Sequence, residues 1–580
     1  MMKYLAIIIA LFSATFIHAA QDVHLMERTS FWVENYTRVN ENSSPNASAA
    51  YRIFNALLHV AGHHPDKFPR LILIKEDPYN TPLPVALPDG GIILSENIIN
   101  SIFKTQQFPE AYLAFILGHE IAHVNSQSFI HIKFFRKLDN KLANKEWDNS
   151  KKEFVKYELY ADEQGIMYAV LAGYNPQHIV NIKNKYSLIA ALNKYSPNNK
   201  DHLTPLVSEN ERQNVITGRL NKIYAHANLF TMGMAYFLAG NYSDAIRIFE
   251  LLKQYYPSRE LMHDLGMSYH FHALEYYSPA INEKAGLPFK YSYIIDPYAR
   301  ILNNTKRSPE KQDKQKYIEF MKLAIMNYEQ SIAIDPDYMP AYINLSTAYL
   351  SEKDTIYKGI GLLMDANKRF VSDDILNNLG IAFMLVGDKN KAQSYFSEAA
   401  NKSNYAASIY NLALLDITQD DKEQAERLWQ QFNRSEPNSV YAQLLADYLD
   451  IDTTYRHELL SKESVPGLDI NTELNITKNN IVTQKSYNLN KHKYSYTRLN
   501  TGLEIVTQNN RIKLVIAGKP YDGHTIQKTM IGDSKETLYH QYGTPAMTLK
   551  TPSGMIYNYQ SSRIAFMLEN NVVKSWIIYE

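Results

Sequence analysis

The feature that most limits what this chain can become is a period. A Leu or Met followed by a small residue places that small residue at Gly233, Gly266, Ser346, Gly380, Ala413 and Ala446, with separations of 33, 80, 34, 33 and 33. The outlier equals one repeat plus an insertion of 46 residues. Twelve residues after three of these positions stands another small side chain (Ala245, Ala392, Ala425), and four further on an aromatic one (Phe249, Phe396, Trp429). Pro257, Pro336 and Pro437 close their repeats, and across the insertion the second half is still legible as Ala324, Tyr328 and Pro336. A unit this short cannot bury its own apolar face and must stack on copies of itself. Residues 223–451 are therefore expected to form an α-solenoid with an insertion near 271–317.

The spacing resembles the tetratricopeptide repeat, a helix–turn–helix of about 34 residues whose small side chains let helices approach. That resemblance implies a concave face presented to a protein partner or an unfolded client. The Tyr-rich composition reads mainly as repeat core.

Either side of the array the pattern changes. Lys3, the apolar run Tyr4 to Ile17 and then His18-Ala19-Ala20 read as a signal peptide over residues 1–20. The run is short of the about 20 residues a membrane span needs. The mature chain is expected to be exported to the periplasm of a Gram-negative bacterium, free of transmembrane segments. Residues 21–222 read as a mixed domain: helical patterning over 28–62, strand-like runs at Leu71–Ile74 and Gly91–Leu94, and helix from about 96 to 195, broken by a charged stretch at 136–153. Residues 452–496, rich in Asn, Lys, Thr and Ser, read as a linker. Residues 497–580 carry strand-like runs at Leu503–Val506, Ile512–Ile516, Met555–Tyr559 and Val572–Tyr579, a turn at Asn570-Asn571, and a helix closed by Gly543. The whole is predicted to be multidomain and mainly α, ending in a small α+β domain.

The residues that carry chemistry are His119-Glu120-Ile121-Ala122-His123, inside the apolar helical run that begins at Ala111. Residues four apart share a helix face, so both imidazoles reach one ion. Glu120, turned away by about 100°, points beside the ion, where a carboxylate can hold a water and take its proton. Glu158 lies 35 residues beyond His123, and Asp162 follows four later. Two neutral imidazoles and a carboxylate make a three-ligand site, so one of this pair ligates while the other accepts the free N–H of a ligating His. The chain has no cysteine, which removes thiolate ligands, thiol nucleophiles and disulfides from consideration. Sixty basic against sixty acidic residues leave no general electrostatic footprint for nucleic acid.

The HEIAH helix, the Glu-x-x-Ala-Asp helix running on to Gly165 and Ala172-Gly173-Tyr174-Asn175-Pro176, and Ala86-Leu87-Pro88-Asp89-Gly90-Gly91-Ile92 resemble the zinc metallopeptidase family of HtpX and the CAAX-processing endopeptidases. With a repeat array behind it, the likeness is to the BepA-type periplasmic branch, over residues 25–450. The resemblance implies a zincin-like fold, one Zn2+ per chain held by His119, His123 and Glu158, Glu120 as general base, and Asp162 orienting a ligand from behind. It further implies a regulatory or transition-state His followed by an Arg; here His202-Leu203-Thr204-Pro205-Leu206 precedes Arg212, with the His displaced by two positions. Leu83-Pro84 stands where the family has Asn-Ala.

The function expected is a zinc endopeptidase of the cell envelope, peripheral to the outer membrane, that cleaves misfolded or unassembled envelope proteins. Its array would engage clients or envelope-assembly machinery, and the strand around Gly91 to Ser95 would pair with an extended substrate. The rivals are a latent-protease assembly scaffold and a secreted protease acting on host proteins.

Overall fold

The computed structural model describes residues 28–61, 69–75, 84–106, 108–127, 144–174, 209–276, 288–294, 313–437, 439–453, 461–545, 547–551 and 554–580. The signal peptide, the His202 segment, Leu83, much of the 136–153 stretch and most of the insertion lie outside them. Among the described residues no helix is long and apolar enough to cross a membrane. The chain divides into two compact units: residues up to 225 with 333–335, and 226–332 with 336–580.

The first unit holds α1 (Thr29–Asn35), α2 (Pro45–Val60), β1 (Arg70–Ile74), β2 (Val85–Ala86), β3 (Gly91–Ser95), α3 (Glu96–Thr105), α4 (Pro109–Asn125), α5 (Asn144–Leu171) and the start of α6 (Glu209–Leu238). Its sheet runs β1-β3-β2, with β1 and β3 parallel and β2 antiparallel to β3. Helices α2 to α5 bury one apolar core against it. The sequence reading made β3 an edge for substrate; the structure corrects this. Ile92 and Ile93 are laddered on both sides, to Leu71 and Ile72 and to Ala86 and Val85. Continuous burial from Gly91 to Ser95 is what a central strand shows, and the edge falls to β2.

The second unit continues from α6 through α7 (Tyr242–Lys253), α8 (Arg259–Leu274), α9 (Lys314–Ile334), α10 (Met339–Leu350), α11 (Ile356–Arg369), α12 (Asp373–Leu385), α13 (Lys389–Ser403), α14 (Ala406–Thr418), α15 (Lys422–Ser435) and α16 (Val440–Tyr448). Three of the repeats close by placing an aromatic ring where the facing helix has no side chain. A Cβ on Gly233 would stand 2.5 Å from the Phe249 ring, one on Gly266 2.8 Å from Tyr328, and one on Gly380 closer still to Phe396. Asn241, Ser258, Ser372, Asp388, Asp421 and Ser439 cap their helices by accepting a backbone N–H, each worth about 1 kcal/mol. The insertion falls between the two helices of one repeat, α8 and α9.

The C-terminal part is an eight-stranded antiparallel sheet ordered β4-β5-β6-β7-β11-β10-β9-β8. Its strands are β4 (Ile481–Leu489), β5 (His492–Leu499), β6 (Leu503–Gln508), β7 (Arg511–Gly518), β8 (Met547–Thr551), β9 (Gly554–Tyr559), β10 (Ile564–Glu569) and β11 (Val572–Tyr579), with α17 (Lys535–Tyr542) before β8. The linker expected at 452–496 is therefore corrected: β4 and half of β5 lie in it. Their polar residues are strand residues with one solvated face. β4 alternates half-buried and exposed along its whole length, Ser486 and Ser495 meet Oγ to Oγ at 2.8 Å, and Asn490 takes the positive φ of the hairpin turn. This C-terminal sheet domain shares a core with the array. Leu514, Ile516, Ile577 and Tyr579 pack into one core with array residues Phe237, Phe249 and Phe271, while Ile512, Val515, Trp576 and Ile578 face the opposite core with Leu538 and Tyr542.

Gly380→Ala should destabilise the array by about 1–3 kcal/mol, because the new methyl meets a buried ring that cannot retreat. Gly361→Ala, in α11 with nothing within 4 Å of its added Cβ, should stabilise by about 0.5–1 kcal/mol. Urea unfolding followed by circular dichroism reads both; equal effects would show that the ring seat is not tight.

Candidate metal centre

The metal-ligating candidates come from two helices that touch backbone to backbone. α4 starts at Pro109, whose fixed φ and absent N–H suit a first helical position. From Ala111 to Val124 every residue of it is buried, the mark of a core helix rather than a surface one. His119, Glu120 and His123 are carried inside with it. α5 meets α4 at Gly165. A Cβ on Gly118 would stand 2.9 Å from the Gly165 carbonyl oxygen, and one on Gly165 only 2.8 Å from the His119 amide nitrogen. Both positions need glycine for the helices to lie this close. Glu158 and Asp162, about two turns and one turn before Gly165, then face the imidazoles.

Asp162 is fully buried and organises the cluster. Its Oδ1 lies 3.0 Å from His119 Nδ1 and accepts from Arg212 Nη2 at 2.6 Å, while Oδ2 accepts from Arg212 Nε at 2.7 Å. Burial alone would raise the Asp162 pKa, but the hydrogen bond with His119 and the charge and hydrogen bonds of Arg212 outweigh it and hold the carboxyl below its usual range. Burial likewise works against the Arg212 cation, and Asp162 overrides it, so the guanidinium stays charged. An ionised carboxylate only accepts, so the proton in the His119 contact sits on Nδ1, and in the neutral imidazole that ligates a metal the lone pair is then the one on Nε2.

That lone pair points at a shared place. His119 Nε2 lies 3.0 Å from His123 Nε2 and 3.6 Å from Glu158 Oε2, and His123 Nε2 lies 3.2 Å from Glu158 Oε1. Ligands about 2.0–2.1 Å from a tetrahedral zinc stand about 3.3 Å apart, which these three edges bracket. Two imidazoles, one carboxylate and a carboxylate behind the first imidazole are also the donor set zinc takes, and the excess of buried carboxylate over guanidinium charge suits a divalent cation. The residues fit the ion. Among the described residues they form the one group of three or more metal-ligating side chains that converge.

The structure thus brings together His119, Glu120, His123, Glu158 and Asp162; His202 lies outside the described residues. Sequence reasoning missed two contributors. Arg212, 50 residues beyond Asp162, was noted only as the Arg after the His202 segment and proves to grip Asp162 with two nitrogens. The Gly118–Gly165 crossing left no periodic signal, only a glycine beside each motif.

A tetratricopeptide repeat family matches residues 227–258, from the second half of α6 through α7. With the helix packing above, this makes the chain a tetratricopeptide-repeat-containing protein. Similar solved structures include a thermophilic tetratricopeptide repeat protein of Thermus thermophilus (15% identity, 40% of this chain and 98% of that one, TM-score 0.27). Another is MamA of Desulfovibrio magneticus (11%, 38% and 98%, TM-score 0.26). A tetratricopeptide repeat protein of Parabacteroides merdae is similar over 53% of this chain and 98% of its own, at 10% identity and a TM-score of 0.28. No curated protein matches the chain. TM-scores this low leave the repeat reading to rest on the family match and the packing.

Gly165→Ala changes no donor, yet by pushing the helices apart it should weaken zinc binding by at least tenfold. Asp162→Asn, which removes the negative charge behind His119 and leaves one acceptor oxygen where His119 and Arg212 now share two, should cost about 10–100-fold. Competition against a chromophoric chelator measures both, with Glu163→Ala as the neutral control; unchanged affinity in the two variants would dissolve the centre.

Proposed function

We propose that the chain is a zinc-dependent endopeptidase of the bacterial cell envelope, exported to the periplasm, that cleaves misfolded or unassembled envelope proteins held by its repeat array. What supports this most is the meeting of His119, His123 and Glu158 at 3.0–3.6 Å inside a core helix pair. Burying so many ionisable groups costs several kcal/mol, which a purely structural helix pair avoids with apolar side chains. A zinc ion bound there supplies a Lewis acid that acidifies a water molecule and polarises a peptide carbonyl. The protein's own part is proton handling and orientation. Glu120, buried on the same helix beside the face that carries the two imidazoles, takes the proton of the attacking water and returns it to the departing amine nitrogen. Asp162 and Arg212 keep His119 in the Nδ1–H tautomer through the cycle.

A second reading is favoured by the tetratricopeptide match at 227–258: the protein acts mainly as a protein-binding scaffold with a latent site. The two readings separate in one experiment. Wild type should bind one zinc per chain and cleave casein between pH 6 and 8, whereas Glu120→Gln should keep fold and zinc and lose cleavage by about 100-fold or more. A wild type that holds zinc and leaves casein intact gives the scaffold reading the ground.

A further inference from the structure

The described part of the insertion, Pro288 to Ile294, is gripped by the array one residue in two. Asn411 on α14 accepts the Lys290 N–H at 3.0 Å and donates to the Lys290 carbonyl at 3.0 Å. Asn378 on α12 does the same to Ser292 at 2.9 and 3.1 Å, and Asn344 on α10 to Ile294 at 3.1 and 2.6 Å. Each asparagine thus closes a two-bond ring with the N–H and C=O of one residue, the pairing a neighbouring β-strand would make. The three are separated by 34 and 33 residues, stand two residues before the small positions Ser346, Gly380 and Ala413, and are fully buried. The ladder is therefore a product of the repeat itself: successive repeats read alternate residues of an extended chain running opposite to the repeat order.

Side chains of the segment are received more selectively. Lys290 Nζ lies 3.1 Å from Glu436 and 4.2 Å above the Tyr441 ring. Ser292 Oγ meets Tyr405 Oη at 2.9 Å and accepts from Asn377 at 3.1 Å, and Ile294 is buried beside a bridge to Lys550 on β8. The pairs that pack the repeats, Gly233–Phe249, Gly266–Tyr328 and Gly380–Phe396, use no residue of the segment. Lifting it out would expose three asparagine amides together with the apolar seats that Phe289, Tyr293 and Ile294 fill in the array core, which another extended segment with its own side chains can occupy.

We propose that Asn344, Asn378 and Asn411 form a backbone-reading groove for an extended polypeptide segment of the pattern Lys-x-Ser-x-Ile, and that residues 288–294 are an intramolecular ligand occupying it until an external segment takes their place. This deepens the protein-binding reading of the array and does not depend on the metal centre. A tethered ligand competes at an effective concentration of about millimolar, so the intact protein resists micromolar peptide. Proline at 292 and 294 removes two of the three N–H groups that the asparagines accept and leaves the asparagines untouched.

The test is fluorescence anisotropy of a labelled peptide Pro-Phe-Lys-Tyr-Ser-Tyr-Ile with full-length chains. The Ser292→Pro/Ile294→Pro protein should bind it at least about 100-fold more tightly than wild type. Adding Asn378→Ala should lose tenfold or more, and a peptide with Pro at its fifth position should bind neither. Equal binding by wild type and the released protein, or indifference to Asn378→Ala, overturns the groove. Should the released protein fail to fold, hydrogen exchange decides: Asn378→Ala alone should speed exchange across 288–294 and spare the β4–β11 sheet, and unchanged protection of the segment overturns the proposal. Casein capture by the released protein in the Glu120→Gln background, with Asn378→Ala making no difference, would overturn the groove while leaving the array a protein binder.

Discussion

A helix lets its neighbour come this close only where it carries no Cβ at the crossing, and both units of this chain use that allowance. In the first, Gly118 against Gly165 sets the distance at which two imidazoles and a carboxylate face one point. A methyl group at either position is worth more displacement than the spread among the three ligand edges. In the second, Gly233, Gly266 and Gly380 each receive a ring from the facing helix, and the repeats acquire one spacing because they share one seat. The asparagines two residues upstream of the small positions inherit that spacing, so a packing rule in the core becomes a reading frame on the groove.

The buried polar groups of the two units are kept in different states by different means. His263 and His270, enclosed in the array, are pushed down to about 3 by burial and stay neutral for want of solvent. His263 still satisfies both ring nitrogens, on Asp264 at 2.9 Å and Asn344 at 2.7 Å. In the metal centre it is the reverse: Asp162 remains ionised in spite of burial because three hydrogen bonds from His119 and Arg212 replace its water. A carboxylate prepared in this way stabilises a cation placed beyond His119 from behind, without moving.

Much of this was written in the residues because the signals were periodic. The 33-residue spacing located the array, and the four-residue spacings in His119–His123 and Glu158–Asp162 located the two helices of the site. What was misread lacked a period, or had one that composition disguised. Thr483, Gln484, Lys485 and Ser486 look like linker until β5 is laid beside them, with Gln484 and Ser486 on the solvated face and Thr483 and Lys485 on the half-buried one. β3 looked like an available edge because an apolar run does not say on how many sides it is paired. Arg212 and the segment at 288–294 reach their hydrogen-bond partners across 50 and 50 to 122 residues, distances at which no local pattern survives.

The sheet order has a consequence for how the protein is made. β4 to β7 form one meander and β8 to β10 another, and β11, last of the strands in sequence, is the one that lies between them, laddered to β7 on one side and β10 on the other. While translation is still short of Val572 the two halves share no ladder, and the array face that Ile577 and Tyr579 cover stays open to water. Closure of the sheet thereby waits on residues 572–579: a chain that lacks them presents an unfinished apolar surface of the kind chaperones hold.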